Sequence, residues 1–407
     1  MSYWKEYKVK EFAEVVGGGT PSTKNERYFG GGISWITPRD LTNHKEKYIS
    51  KGDRSITKEG LNNSSAKLIP SNSILLTSRA PIGYLAISKN EVATNQGFKS
   101  LIVNSNLADY NFVYYLIKTN IERIKSLGSG TTFSEISASV VKNITFKLPS
   151  LPTQTAIAEI LSSLDDKIEL NNKINQELEN LAQTLFKQWF VDFEFPNENG
   201  DPYKSSGGVM IDSELGEIPE GWEVKTLKEF SICSDRKRIP LSSMERDKRK
   251  GIYPYYGAAS LMDYVDDYIF EGVYVLMGED GSVADKSGFP ILQYVFGKFW
   301  VNNHAHILQG TIISTELLMC LLKSTNISHL ITGAVQPKLN QGNMNKISLA
   351  LPKSINKLKN LESNLGFIFR IIRNNTKENQ ELTTLRDTLL PKLISGKLTI
   401  EELQQTT

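Results

Sequence analysis

The chain repeats itself at an offset of about 203 residues. Residues 143–149 read Asn-Ile-Thr-Phe-Lys-Leu-Pro, and residues 345–352 read Asn-Lys-Ile-Ser-Leu-Ala-Leu-Pro. Each Leu-Pro opens a long polar stretch with apolar residues at helical spacing. Each stretch contains Asn-Gln-Glu-Leu, at 175–178 and again at 379–382. A unit this long lies far outside the 20–50 residues of a stacked repeat. It implies one globular domain plus one long helix, made twice. Such a protein presents two similar surfaces at a fixed separation, which suits a target with two parts.

A chain of 407 residues should form two or more domains. Its 40% hydrophobic and 23% charged content is that of an ordinary globular protein. No apolar run approaches the roughly 20 residues of a membrane span, so no membrane partner is expected. The opening Met-Ser-Tyr-Trp-Lys-Glu lacks the apolar core of a secretory signal. Cys233 and Cys320 lie far apart with no CxxC, which argues against a disulfide framework or zinc site and fits a cytoplasmic location.

The net charge of +2 is nearly neutral but unevenly spread. Residues 236–250 carry Arg236, Lys237, Arg238, Arg246, Lys248, Arg249 and Lys250 against only Glu245 and Asp247. Residues 152–191 carry three lysines against six acids. Either run could be a solvated face; otherwise the first suits phosphate and the second suits protein.

Short apolar runs bounded by turn residues, such as 73–77 and 84–88, read as strands, with a helix expected over 109–126. The later half follows the same plan, with strands near 272–276 and 307–308 and a helix near 315–324. The fold class expected is α+β: a first domain at 1–151, a central helix at 152–195, a second domain at 196–352 and a C-terminal helix at 353–407. Prolines and polar turn residues in 192–202 mark the boundary after the first helix.

Leu161, Leu164, Ile168, Asn171, Asn175, Leu178, Ala182, Leu185 and Trp189 recur at spacings of three and four. Adding 204 gives Leu365, Ile368, Ile372, Asn375, Asn379, Leu382, Arg386, Leu389 and Leu393. These are coiled-coil seams. A buried Asn costs stability unless it meets another polar group, so asparagines near each helix middle would fix register. Their placement lets the helices pair antiparallel, Asn171 and Asn175 facing Asn375 and Asn379. About forty helical residues make a rod of roughly 60 Å. Pro391 should kink or end the second helix, and Gly396 should stop it.

The motifs of catalysis are missing. Gly396-Lys397 has neither the upstream glycine nor the hydroxyl of a phosphate loop. The triplets at 17–19 and 30–32 do not fit GxGxxG, no Asn/Asp-Pro-Pro-Tyr/Phe occurs, and Glu223-Val-Lys225 lacks a Pro-Asp partner. His304 and His306 could share a strand face, but too few further ligands are available for a metal site.

Several further segments stand out in order along the chain. The first domain carries Gly17-Gly-Gly-Thr-Pro-Ser22, Ile33-Ser-Trp-Ile-Thr-Pro-Arg-Asp40, Thr94-Asn-Gln-Gly97 and Gly130-Thr-Thr-Phe-Ser-Glu-Ile136. Gln154-Thr-Ala-Ile-Ala-Glu-Ile-Leu161 and Leu164-Asp-Asp-Lys-Ile168 mark the first helix. The second half carries Asp212-Ser-Glu-Leu-Gly-Glu-Ile-Pro-Glu-Gly-Trp222, Asn302-Asn-His-Ala-His306, Gln336-Pro-Lys-Leu-Asn340 and Leu385-Arg-Asp-Thr-Leu-Leu-Pro-Lys-Leu-Ile-Ser-Gly-Lys397. Taken together, these segments resemble the specificity subunit of type I restriction–modification systems over essentially the whole chain; the second helix departs from that family's pattern at its start, Lys353-Ser-Ile-Asn-Lys-Leu.

The resemblance implies a non-catalytic DNA-recognition subunit. Two target-recognition domains would each read half of a bipartite double-stranded DNA site, and antiparallel helices would set the gap. Two modification subunits would carry S-adenosylmethionine, and restriction (motor) subunits would use ATP and Mg; this chain would bind no cofactor itself. The alternative is an orphan or antirestriction scaffold without DNA specificity of its own.

Base edges are read by Asn, Gln, Arg, Lys and Ser/Thr, while phosphates are gripped by Lys, Arg and backbone N–H groups. First-domain candidates are Thr20, Ser22, Lys24, Arg27, Arg39, Arg79, Asn95, Gln96, Lys99, Ser129, Thr131 and Thr132. Gly17–Gly19 would allow close backbone approach. In the second domain the run Arg236, Lys237, Arg238, Lys248, Arg249 and Lys250 would grip phosphate. Asn302, Asn303, His304 and His306 correspond to Asn95 and Gln96, and Gln336, Lys338, Asn340 and Gln341 correspond to the 130–137 loop. Tyr255 and Tyr256 would stack on bases or pack in the core. Trp189 and Phe190 would meet a partner subunit or bury against the second domain.

Overall fold

The computed structural model describes residues 4–129, 134–333 and 335–405. They form two compact units: 1–171 with 378–407, and 172–377. Each long helix is therefore shared, with its halves on different sides of the division.

In the first unit, a five-stranded sheet runs in the order Ala13–Gly17, Lys99–Val103, Ile74–Ser78, Ile82–Ser88, Tyr48–Ile49. Ile74–Ser78 is buried at every position, as expected of a β-branched and leucine run with both faces covered. A four-stranded sheet of Arg54–Ile56, Phe29–Ile36, Val92–Thr94 and Leu68–Ile69 lies beside it in the chain's plan. The expected helix over 109–126 is two helices, Tyr110–Thr119 and Ile121–Ser126. Asn120 separates them: its side chain donates to the Leu116 carbonyl at 2.8 Å, competing with the helical ladder. Asp109 caps the first, accepting from the Phe112 N–H at 2.8 Å, and Phe112 to Ile117 are all buried.

The second unit repeats much of this plan. Lys5–Lys8 pairs antiparallel with Thr145–Leu148, and Trp222–Thr226 pairs antiparallel with Ser348–Pro352. Val9 N–H donates to the Ile144 carbonyl at 2.9 Å, as Leu227 N–H does to Ile347 at 2.7 Å. Glu11 and Glu229 each reach back three residues to a backbone N–H, at 2.6 and 2.7 Å. The second unit's main sheet has six strands, because a parallel pairing of Tyr255 with Trp300 joins Lys250–Tyr256 to Leu292–Val301. In the first unit the matching parallel pair, Trp35 with Ala93, lies in the separate four-stranded sheet. Tyr255 is a core residue, fully buried, and the half-buried Tyr256 packs edge-on against Phe299.

Trp189 and Phe190 are buried as well. They close an aromatic cluster with Phe193, Phe195 and Trp222, in which Phe195 stacks on Trp222 at 5.1 Å and Phe190 meets its edge at 5.5 Å. Buried area of this kind stabilises by about 25 cal/mol per Å², so these rings hold the helix end to the second domain and leave nothing for a partner subunit.

The helix Leu151–Phe190 is continuous over 40 residues. Its counterpart starts with a 3₁₀ turn, Ile355–Leu358, before the helix Lys359–Ile394. Pro391 neither ends nor stops that helix. Proline removes one backbone donor near the C-terminus, and the helix runs three residues further to Ile394. Gly396, at φ +69°, then terminates it with its N–H on the Leu393 carbonyl at 3.2 Å. No helix among the described residues is long and apolar enough to cross a membrane.

The helix halves pair antiparallel within each unit. In the first, buried Asn171 donates to Asn379 Oδ1 at 2.9 Å and to Glu378 Oε2 at 2.7 Å. Arg386, the one cation in the expected seam, is neutralised by Asp165 at 2.6 Å, which also accepts from the Tyr115 hydroxyl at 2.6 Å. In the second unit Asn375 donates to Asn175 Oδ1 at 2.9 Å. All other registers would set an amide against leucine. Replacing Asn171 by Leu alone should cost about 1–3 kcal/mol, since Asn379 and Glu378 lose a buried donor. Adding Asn379→Leu should return most of that loss while loosening register, measured as a double-mutant cycle by chemical denaturation.

Candidate nucleic-acid interface

The first-domain candidates divide by what holds them. Gly18 and Gly19 are needed for the chain's own packing: a Cβ on Gly18 would stand 2.1 Å from the Asn95 carbonyl oxygen, and one on Gly19 2.3 Å from the Ala66 nitrogen. The Gly19 N–H donates to the Thr94 carbonyl at 2.9 Å, and Trp35 Nε1–H donates to the Gly19 carbonyl at 3.0 Å. This stitching brings the glycine loop against residues 94–97, so that Thr20 hydrogen-bonds Gln96. Asn95 folds its side chain back onto the Gly97 N–H at 2.9 Å. Beside them Ser22, Lys24, Arg27 and Arg39 are exposed, and their side chains make no hydrogen bond or ion pair among the described residues.

Arg79 and Lys99 are held beneath the next loop. Both pair with Glu135, each at 3.3 Å, and Lys99 also donates to Ser78 at 3.3 Å. Ser129 and Glu135 exchange backbone hydrogen bonds at 3.1 and 3.0 Å, closing the base of a loop; Thr131 and Thr132 are the sequence candidates in this stretch. Those two threonines lie outside the described residues.

The second domain builds the same loop. Thr332 and Lys338 exchange backbone bonds at 2.8 and 2.7 Å, and the tip between them carries fully exposed Val335 and exposed Gln336. Ile136 N–H donates to the Ser78 carbonyl at 3.0 Å, and Leu339 N–H donates to Glu279 at 2.8 Å. These bonds match Arg79 with Asp280 and Glu135 with Lys338, so the charges at the loop base are reversed between copies. Lys338 lies 3.9 Å from Glu279, and His304 contacts Asp280 at 2.5 Å.

The equivalents of Asn95 and Lys99 are Asn302 and His306, and both are buried. Asn302 accepts from the His304 N–H at 2.8 Å, the same turn that Asn95 makes with Gly97. His306 is bonded at both ring nitrogens: Nδ1 to Asp235 at 2.6 Å and Nε2 to the Leu339 carbonyl at 2.7 Å. These two side chains shape loops and do not face a duplex. The expected shared strand face fails for the histidines, because His304 stands in the turn before the strand Ala305–Gly310, exposed, while His306 points inward. Asn303 and Gln341 are exposed, and Asn340 caps the helix Gln341–Met344 by accepting from the Asn343 N–H at 2.9 Å.

Cys233, Asp235 and His306 cluster within 4.8 Å. Neither imidazole nitrogen has a lone pair to spare, and burial pushes the Cys233 thiol up to about 12. The arrangement is a hydrogen-bonded core, not a metal centre. Burial alone would lower the His306 pKa; the bond and charge of Asp235, the Leu339 carbonyl and Glu279 outweigh it and hold it above the ordinary imidazole value.

The basic run is thinner than its composition suggests. Arg238 is tied to Glu279 at 2.6 Å and to the Ala305 carbonyl at 2.8 Å. Arg246 lies 3.4 Å from Asp263, Arg249 2.9 Å from Asp266, and Lys250 2.8 Å from Asp263. Arg236, Lys237 and Lys248 remain exposed, with no ion pair among the described residues. One cation went unnoticed in the sequence: exposed Arg54 stacks 4.2 Å from the Phe29 ring centroid and 5.5 Å from that of Trp35, close to the glycine loop. Only strand pairing brings these three together, so no sequence signal marks it. At the loop base, Glu135→Lys should set three cations together and destabilise by on the order of 1 kcal/mol. Adding Arg79→Asp, which copies the second domain's charge order, should recover part of the loss in thermal unfolding.

The family model described as "Type I restriction modification DNA specificity domain" matches residues 1–180 and 219–384. The MjaIX specificity subunit of a type I restriction enzyme from Methanocaldococcus jannaschii is 36% identical, the alignment covering 98% of this chain and 94% of the relative. The HindI specificity subunit from Haemophilus influenzae is 24% identical, covering 98% and 100%. A crystal structure of a type I restriction–modification S subunit from M. genitalium superposes with a TM-score of 0.60 at 18% identity, covering 96% of each chain.

Proposed function

Since the chain belongs to the type I restriction modification DNA specificity family, we propose that it reads a bipartite double-stranded DNA target. Each recognition domain takes one half, and the paired long helices set the gap between them. The observation that carries this reading is the matched loop in each domain, closed by Ser129 with Glu135 and by Thr332 with Lys338, beside exposed polar and basic residues. A target read by two copies of one frame has two parts.

The chain itself is the non-catalytic member of the assembly. Modification subunits would bring S-adenosylmethionine and restriction subunits ATP and Mg. The methylated base must leave the stack to react, so this chain's contribution is to hold the duplex in register. The orphan or antirestriction scaffold is not favoured, because similarity to specificity subunits spans both domains and both helices.

Single-molecule methylation sequencing of DNA from cells expressing the chain with its neighbouring methyltransferase tests the proposal. A two-part methylated motif with a fixed gap, lost on deleting this chain, is expected; no motif would sink the reading.

Within the basic run, Arg236→Ala with Lys237→Ala should weaken binding of all sequences. It should also reduce the slope of log K against log salt by up to about 2, since each lost phosphate contact releases about one counterion fewer. Arg238→Ala should instead lower the melting temperature with little change in salt slope, because it strands Glu279 and Asp235 in partly buried positions.

A further inference from the structure

Beneath each loop the fold places a cationic side chain at the same strand position. Lys99 pairs across the sheet with Gly17, and His306 occupies the matching place on the strand Ala305–Gly310. Lys99 is anchored upward, to Glu135 of its loop. His306 spans its site: Nδ1 meets Asp235, which precedes the basic run, and Nε2 meets the Leu339 carbonyl immediately after the 332–338 loop. A carbonyl oxygen can only accept, so Nε2 must carry hydrogen; a carboxylate likewise accepts from Nδ1. Both bonds exist together only when the ring is an imidazolium.

We propose that His306 is a positioning residue whose protonated ring holds the second domain's loop in its reading position, so that this half of the recognition surface is released when the proton leaves. The inference rests on the DNA-reading function above. In the first domain the matching anchor is Lys99, paired with Glu135.

The groups facing the ring all favour the proton or are already neutralised. Asp235 is in direct contact and Glu279 lies 3.8 Å away. Arg238 bridges the two acids, 3.4 Å from Asp235 and 2.6 Å from Glu279. Lys338 reaches Glu279 at 3.9 Å, and the thiol of Cys233 lies within 4.8 Å of Asp235 and of the ring. On the adjoining turn His304 and Asp280 pair with each other. The sign follows: the folded-state pKa of His306 lies above the ordinary value. The loop contact is therefore complete below the ordinary imidazole range and is lost as pH rises through the folded value.

The chain has four histidines, His44, His304, His306 and His329, so ¹³Cε1-histidine NMR of the full chain can follow each ring. One resonance should stay imidazolium above the ordinary value of about 6.5 and be missing in His306→Gln, which assigns it. Four rings deprotonating together near the ordinary value of about 6.5 would overturn the proposal without any variant.

Affinity of the assembly with its modification subunits is then measured from pH 6.5 to 9, on a duplex carrying its own methylated target. Wild type should weaken by up to tenfold per pH unit above the His306 pKa, as for loss of one proton. His306→Lys should flatten that profile, and Lys99→His should add a second fall. Binding with the same profile in wild type and His306→Lys overturns this inference alone. No binding at any pH overturns the DNA-reading function, and this inference with it.

Discussion

The pairing of amides inside the two long helices is the constraint on which the remaining architecture depends. Asn171 with Asn379 in the first unit, and Asn175 with Asn375 in the second, each satisfy a polar group that would otherwise be stranded in an apolar seam. A leucine seam tolerates sliding by a heptad at modest cost, whereas a displaced amide loses a buried hydrogen bond at about 1–3 kcal/mol. Specificity of register is thus obtained from a locally unfavourable residue. The same logic admits Arg386, a cation in an apolar seam, because Asp165 stands opposite with a tyrosine hydroxyl behind it.

Much of this was legible in the sequence because helical seams obey a period. The two asparagines fell on it, an offset of 204 carried them onto Asn375 and Asn379, and antiparallel pairing crosses the partners, Asn171 with Asn379 and Asn175 with Asn375. The α+β class followed from short apolar runs between turn residues, and the observed strands Ile74–Ser78 and Phe270–Gly278 lie where those runs lie. Boundaries were less legible. Asn120 breaks one helix by bonding its own backbone, while Pro391 deprives only the carbonyl four residues before it of a helical donor, and the helix continues to Ile394.

The surface was harder to read, for a physical reason. Charge counted along the chain ignores counterions supplied from distant strands. Seven basic residues in 236–250 looked like a phosphate grip, yet Asp263, Asp266 and Glu279 arrive from elsewhere in the second domain and neutralise four of them. The glycine triplet was likewise read as room for a ligand, and two of its members are room for Asn95 and Ala66. The partnership of Thr20 with Gln96 joins two independently chosen candidates, but their separation of 76 residues hid the contact.

The two copies show how such a frame can change what it reads without changing its fold. Backbone hydrogen bonds define the correspondence: 78 with 279, 129 with 332, 135 with 338, 136 with 339. At those positions the side chains have diverged, Arg79 against Asp280, Glu135 against Lys338, Lys99 against His306. Opposite charges were exchanged as sets, since reversing one member alone would leave like charges facing across the loop base. A backbone-defined loop resting on a compensated charge cluster leaves its tip free to vary. Each loop base is tied by residues of its own domain, Glu135 with Arg79 and Lys99 in the first and Lys338 with Glu279 in the second, so each can diverge on its own.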